Sequence, residues 1–119
     1  MKNIGFIILL LLVALWSCEY ETIVPGEVSV PDGPVSYSED IAPVFDNQCS
    51  GCHGGATSPD LRLDKSWGEL TSKNLVDTSN PAESEIVTII ESGHGTSGNL
   101  SALEKALLLR WIEQGALDN

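Results

Sequence analysis

Hydrophobic residues along this 119-residue chain first form one continuous run and later recur at helical spacing. Residues 4–16 are apolar except for a single glycine. Residues 19–34 contain prolines and glycines without a helical period, which is typical of a linker. From residue 35 onwards, apolar residues recur every three or four positions. This pattern predicts an all-α domain of three to four helices over residues 35–119.

Local signals predict where the first two helices of this domain begin. Ser36 followed by Glu39 fits a capping box, in which each side chain satisfies a free backbone N–H at the helix start. Pro43 is tolerated only in the first turn of a helix, so we expect this helix to start near Asp40. A second, short helix is expected over residues 66–70.

The last two predicted helices also carry start and stop signals. Asn80 and Pro81 fit the cap and first position of a third helix, which should end at Gly93. Ser101 and Glu104 form a second capping box before the last helix. The residues expected along one side of that helix are Leu103, Ala106, Leu107, Arg110, Trp111 and Gln114.

The charge of the chain limits its possible partners. Six Lys and Arg residues stand against seventeen Asp and Glu residues, which gives a net charge of −11 at pH 7. Nucleic acid is not an expected partner, because neutralising its phosphates requires a basic surface. An acidic surface favours a partner protein with a basic docking face. The alternative is a surface that is merely well solvated.

The N-terminal apolar run is too short to cross a bilayer as a helix. It would extend roughly 20 Å, whereas the hydrocarbon core is about 30 Å thick. With Lys2 before it, the run is typical of a secretory signal. It ends in Leu15-Trp16-Ser17-Cys18, which resembles the lipobox of bacterial lipoproteins.

This resemblance implies that residues 1–17 are a removable signal peptide and that Cys18 is acylated. Residues 18–34 would then tether the domain to a membrane of the bacterial envelope, on its periplasmic or outer surface. An uncut anchor and plain secretion are the alternatives.

Cys49-Ser50-Gly51-Cys52-His53 has the spacing of a c-type haem attachment site. Each thiol can form a thioether with one vinyl group of a haem, and the adjacent imidazole can bind the iron. A redox dithiol is an alternative, but it is expected within a βαβ unit. A zinc site is another, but its fourth strong ligand would have to be His94. We therefore predict one covalent haem c on Cys49 and Cys52, with His53 as an iron ligand.

With these elements placed, residues 37–118 resemble small class I single-haem c-type cytochromes. The landmarks are Asp40-Ile41-Ala42-Pro43-Val44-Phe45 before the motif, Asn80-Pro81 at a helix start, and Leu100-Ser101 leading into Trp111-Ile112-Glu113-Gln114-Gly115-Ala116. The resemblance implies a cytochrome c-like fold whose first and last helices cross around one haem. Phe45 would then pack against Leu107 and Trp111.

The chain departs from that family at the second iron ligand. The family usually supplies a methionine from a loop before the last helix, but the only methionine here is Met1. His94 lies in the corresponding loop between Gly93 and Gly95, so we predict that His53 and His94 both bind the iron. Because methionine ligation raises the reduction potential, a second histidine should lower it. A five-coordinate iron beside an exposed His94 is the alternative.

An iron with both axial positions filled predicts an electron carrier and not an enzyme. Redox proteins would be its partners, and weak peroxidase-like activity is compatible with this function. The first alternative is a gas or peroxide sensor, or a peroxidase-like module, with an open sixth position where His94 acts as an acid or base. The second is a structural lipoprotein domain that carries no covalent haem.

Overall fold

The computed structural model describes residues 28–119. The predicted signal peptide, Cys18 and most of the predicted tether lie outside the described residues. Within residues 28–119 the chain forms four α-helices and no β-strand, which confirms the predicted all-α class. They are α1 (Ala42–Gln48), α2 (Ser66–Ser72), α3 (Glu85–Glu91) and α4 (Ala102–Glu113). None of these helices has the length and apolar character needed to cross a bilayer.

The first helix starts earlier than predicted, with a π-helical turn over Tyr37–Ile41 that continues into α1. Ser36 caps this turn, and its hydroxyl accepts a hydrogen bond from the Glu39 N–H at 3.2 Å. In return, the Ser36 N–H donates to the Asp40 carboxylate at 2.8 Å, and not to Glu39 as a capping box requires. Pro43 lies in the first turn of α1, where its missing N–H costs no hydrogen bond.

The third helix starts at Glu85, so the predicted start at Asn80 is wrong. Pro81–Glu83 forms a separate 3₁₀ turn, and Ser84 with ψ 135° interrupts the helical backbone. The buried Ser84 hydroxyl accepts a 2.9 Å hydrogen bond from the N–H of Asp77. This contact with the preceding loop holds Ser84 extended and delays the helix.

The capping box of α4 is confirmed. The Ser101 hydroxyl accepts from the Glu104 N–H at 3.2 Å, and the Glu104 carboxylate accepts from the Ser101 N–H at 2.7 Å. The buried side of α4 differs from the predicted one, since Leu103 stays 41% exposed. The residues that α4 buries are Leu108, Trp111 and Ile112. Leu108 and Ile112 lie one turn apart beside Trp111. This side therefore offers the core more apolar surface than the predicted side, which includes Arg110 and Gln114.

One hydrophobic core joins the helices. The ring of Tyr37 packs against the ring of Trp111, with centroids 4.9 Å apart and planes tilted by 43°. The opening turn of the first helix therefore contacts the last helix. Phe45 is buried in the same core, and Leu107 is half-buried against it.

Hydrogen bonds from the C-terminal residues hold the segment that enters the domain. The Gln114 side chain donates to the Gly33 carbonyl at 3.0 Å and accepts from the Val35 N–H at 2.8 Å. The Asn119 side chain accepts from the Tyr37 N–H at 2.8 Å. We call the bonds made by Gln114 and Asn119 the terminal clasp.

Candidate haem-binding site

The two motif cysteines lie in a tight turn at the end of α1. Cys49 caps the helix, and its carbonyl accepts hydrogen bonds from the N–H groups of Cys52 at 3.1 Å and His53 at 2.9 Å. Cys49 is half-buried against the core, and Cys52 is exposed. Both are free thiols, which is the form that reacts with the vinyl groups of a haem.

The environment of Cys49 disfavours the dithiol alternative. Burial raises the pKa of the Cys49 thiol above its usual value. Redox-active Cys-X-X-Cys motifs instead lower the pKa of their attacking cysteine, because the thiolate is the nucleophile. The βαβ surround of such motifs is also missing, since residues 28–119 contain no strand.

His53 is held by the backbone of the loop that follows it. Its Nδ1 lies 3.1 Å from the Pro59 carbonyl oxygen. Since a carbonyl can only accept, Nδ1 carries the proton and Nε2 keeps a lone pair for a metal. The His53 carbonyl accepts from the Leu61 N–H at 2.8 Å, and Leu61 is buried in the core. The loop therefore fixes both the tautomer and the position of this imidazole.

His94 lies in the loop between α3 and α4, as predicted. Gly93 and Gly95 have φ values of 79° and 55°, in the left-handed region that favours glycine. His94 itself is extended, with φ −60° and ψ 124°, and it is exposed. The chain then enters a 3₁₀ turn over Gly95–Asn99. The two glycines turn the chain sharply on both sides of the imidazole.

The structure brings the imidazoles of His53 and His94 together, with ring centroids 6.2 Å apart and planes at 56°. First-row metals bind imidazole nitrogens at about 2.0–2.1 Å. With each nitrogen about 1.1 Å from its ring centre, two imidazoles on opposite sides of one metal have centroids about 6.3 Å apart. The observed separation of the two rings is close to this value. Cys49 and Cys52 are the residues that would hold the porphyrin.

Comparisons with protein families, with curated proteins and with solved structures found no match for this chain.

A metal site made of protein ligands alone has little support in the described part of the chain. No group of three or more His, Cys, Asp or Glu side chains within residues 28–119 could hold a metal ion together. Structural zinc requires four such ligands, whereas haem iron requires only two, because the porphyrin supplies the others. The ligand set therefore fits haem better than zinc.

Gly54, directly after the motif, allows a close contact between backbone segments. A Cβ atom at Gly54 would lie 2.6 Å from the Ser50 carbonyl oxygen, which is too close for any side chain. A Cβ atom at Gly51 would have no other atom within 4 Å. The compact turn that carries the cysteines therefore requires glycine at residue 54 but not at residue 51.

The site does not coincide with a large surface cavity of the domain. A cavity of about 620 Å³ lies beside α2, and Tyr37, Lys65 and Trp67 are among its lining residues. Neither motif cysteine nor either histidine lines it. We assign the site from the paired imidazoles, because the chemistry lies with those side chains and not with that cavity.

Sequence reasoning missed two residues that support the site, Pro59 and Thr96. Pro59 acts through its backbone carbonyl, and no side-chain pattern shows where a carbonyl points. Thr96 follows His94 by two residues, and its hydroxyl bonds to the backbone of α1. The only sign of this bond in the sequence is that a residue with a hydroxyl group lies in the same loop as His94.

Proposed function

We propose that this protein is a small c-type cytochrome that transfers single electrons between partner proteins. The observation that carries the proposal is the pair of imidazoles, 6.2 Å apart, one of which follows a Cys-X-X-Cys spacing. Cys49 and Cys52 bind one haem c covalently, and His53 and His94 bind its iron. When bound, haem c supplies a one-electron Fe(III)/Fe(II) couple.

The residues of the chain fix the ligands of this site. The Pro59 carbonyl accepts the Nδ1 proton of His53, which keeps Nε2 free and makes the imidazole a stronger donor. His94 would hold the metal together with His53, so a small molecule would have to displace it to bind there. Two occupied axial positions favour electron transfer over catalysis at the iron.

The proposed fold is cytochrome c-like, with the first and last helices crossing. The contact between Tyr37 and Trp111 supports it, because it joins the opening turn of the first helix to α4. The long loop between α1 and α2 contains the haem motif and Pro59, and the loop before α4 contains His94. Each half of the domain would thus contribute one of the two histidines that hold the haem iron.

In this proposal the protein is an exported lipoprotein of the bacterial envelope. Its support is the apolar run over residues 4–16, which is followed by Ser17 and Cys18. Several acyl chains on Cys18 would give stable attachment, because each buried CH₂ group contributes about 0.8 kcal/mol. Residues 18–34 would confine the domain to the neighbourhood of the membrane.

The proposed partners are redox proteins with a basic docking face. No Lys or Arg occurs between Lys2 and Arg62, or between Lys73 and Lys105. The haem motif and His94 both lie within these segments, whose only fully charged side chains are acidic. A basic surface on the partner would accelerate encounter at this side of the molecule.

The exposure of His94 favours a second candidate function. An exposed ligand between two left-handed glycines can leave the metal with little rearrangement of the core. A sensor of a small gas or peroxide would use this opening of the sixth position. The two functions differ in whether His94 binds the ferric iron of the resting protein.

Spectra of the mature domain, produced in a host with haem-maturation machinery, test the proposal. We expect one covalent haem and a low-spin ferric EPR signal that becomes high-spin in His94→Ala. Asn99→Ala, an exposed substitution in the same loop, should remain low-spin. A high-spin wild type that binds CO or cyanide rapidly would favour the sensor. Protein without covalent haem would contradict both functions.

A further inference from the structure

Two of the hydrogen bonds between the loop that carries His94 and the preceding helix are long. The His94 N–H donates to the Ile89 carbonyl at a long 3.4 Å. The Ser97 hydroxyl donates to the Ile90 carbonyl at the same distance, 3.4 Å. Both distances lie at the outer limit of hydrogen bonding. The Gly93 N–H donates to the Ile90 carbonyl at a shorter 3.1 Å, so α3 holds the loop most closely just before His94.

A side-chain hydrogen bond also links this loop to α1. The Thr96 hydroxyl donates a hydrogen bond to the carbonyl of Gln48, the last residue of α1. The last carbonyls of a helix lack partners within the helix, so such a carbonyl is a ready acceptor. Thr96 lies two residues after His94, and Gln48 is directly followed by Cys49. One hydrogen bond thus joins the two segments that contain the proposed iron ligands.

We propose that Thr96 is a positioning residue that holds His94 opposite His53. This inference rests on the proposed function, because it assumes that His94 binds the iron. The hydrogen bond to Gln48 fixes the loop before any ligand bond forms. Ordering the loop in advance lowers the entropy lost when His94 binds the metal. Thr96 therefore sets how often His94 leaves the iron.

The competing explanation is that Thr96 only terminates α1. In that case its hydroxyl would add to the stability of the fold without affecting exchange at the iron. The two explanations differ in a measurable rate, since cyanide can bind ferric iron only after His94 has left it. The rate of cyanide binding therefore reports the fraction of molecules in which the sixth position is open.

The test compares Thr96→Val, which removes the hydroxyl and keeps the shape, with Thr96→Ser, which keeps the hydroxyl. Thr88→Val is the matched control, because the exposed Thr88 hydroxyl on α3 donates to the Glu85 carbonyl at 2.9 Å. We expect Thr96→Val to bind cyanide roughly two- to tenfold faster than wild type, the range for loss of one hydrogen bond. Thr96→Ser and Thr88→Val should bind at the wild-type rate.

If the wild-type protein is low-spin, three results would overturn this role of Thr96. They are an unchanged rate in Thr96→Val, an equal acceleration in Thr88→Val, and failure of Thr96→Ser to restore the rate. If Thr96→Val does not accumulate, Thr96→Ala removes the same hydroxyl and is judged by the same rates. A wild type that is high-spin or free of haem would instead contradict the proposed function itself.

Discussion

The hydroxyl of Tyr37 donates a 2.6 Å hydrogen bond to the hydroxyl of Ser66 inside the core. Tyr37 lies in the opening turn of the first helix, and Ser66 is the first residue of α2. Both residues are buried, so this bond ties the two elements together where water does not compete. Burial raises the pKa of Tyr37 to about 12, and the bond to Ser66 opposes part of that effect.

Stability should fall between pH 10 and 12 because of Tyr37. The unfolded chain releases the phenol proton at about 10, whereas the folded protein retains it to about 12. The folded state binds more protons in this window, so the free energy of unfolding falls by at most about 1.4 kcal/mol per pH unit. Denaturant unfolding across this range measures the slope. In Tyr37→Phe the free energy of unfolding should fall less steeply with pH. An equally steep fall would assign the effect to other groups.

Gly54→Ala should disrupt the turn of the haem motif, since its Cβ would lie 2.6 Å from the Ser50 carbonyl oxygen. We expect a loss of about 1–3 kcal/mol in the free energy of unfolding, the usual cost of overpacking. The yield of covalent haem should also decrease. Gly51→Ala is the control, because its Cβ meets no atom within 4 Å. Equal losses of stability in both variants would mean that these positions require glycine for its backbone flexibility and not because of a close contact.

His94→Met should raise the reduction potential. Methionine stabilises ferrous haem relative to histidine, and axial ligands as a whole tune the potential over about 0.8 V. Potentiometric titration of wild type and variant measures the shift. Ser92→Met adds a thioether at the exposed end of α3 and should leave the potential unchanged. A potential that stays constant in His94→Met would show that residue 94 does not bind the iron.

Electron transfer with a basic partner protein should slow as salt increases. The screening length falls from about 10 Å at 0.1 M to about 3 Å at 1 M ionic strength. Glu91→Lys and Glu113→Lys change the net charge equally, and both residues are exposed. Glu91 is close to His94 in sequence, so its reversal should lower the bimolecular rate at low salt more than that of Glu113. Equal effects would contradict docking beside the His94 loop.

Cys18→Ser should release the protein from membranes into the soluble fraction. The variant loses the thiol that the proposed lipid modification requires. Cell fractionation and immunoblotting compare it with Ser17→Ala, which keeps the cysteine. Retention of Cys18→Ser in the membrane fraction would indicate that the apolar segment over residues 4–16 is itself the anchor.

The sequence predicted best those features that depend on residues close to one another along the chain. The cap formed by Ser101 and Glu104 lies within one helical turn, so its pattern was sufficient. The helix start predicted at Asn80 was wrong because the buried Ser84 hydroxyl accepts a hydrogen bond from the Asp77 N–H. This contact outweighs the local preference of Asn80 and Pro81 for a helix start. The buried side of α4 was also misplaced, since it depends on which neighbours the helix meets.

The same distinction applies to the candidate site. The cysteine spacing and the glycines beside His94 are local, and they were sufficient to name the four residues. The 6.2 Å separation of His53 and His94 depends on two loops that meet in space. The contributions of Pro59 and Thr96 depend on where backbone carbonyls point, which no residue pattern records.

The terminal clasp determines how a pull on the N-terminal side of the domain is distributed. Tension entering at Gly33 first loads the bonds that Gln114 makes to Gly33 and Val35, near the end of the last helix. It then reaches Tyr37, whose N–H is held by Asn119. These bonds precede α1 along the line of force, so a moving membrane attachment would strain them before the haem motif. The clasp would therefore shield the segment that contains Cys49, Cys52 and His53 from tension entering at the N-terminal side.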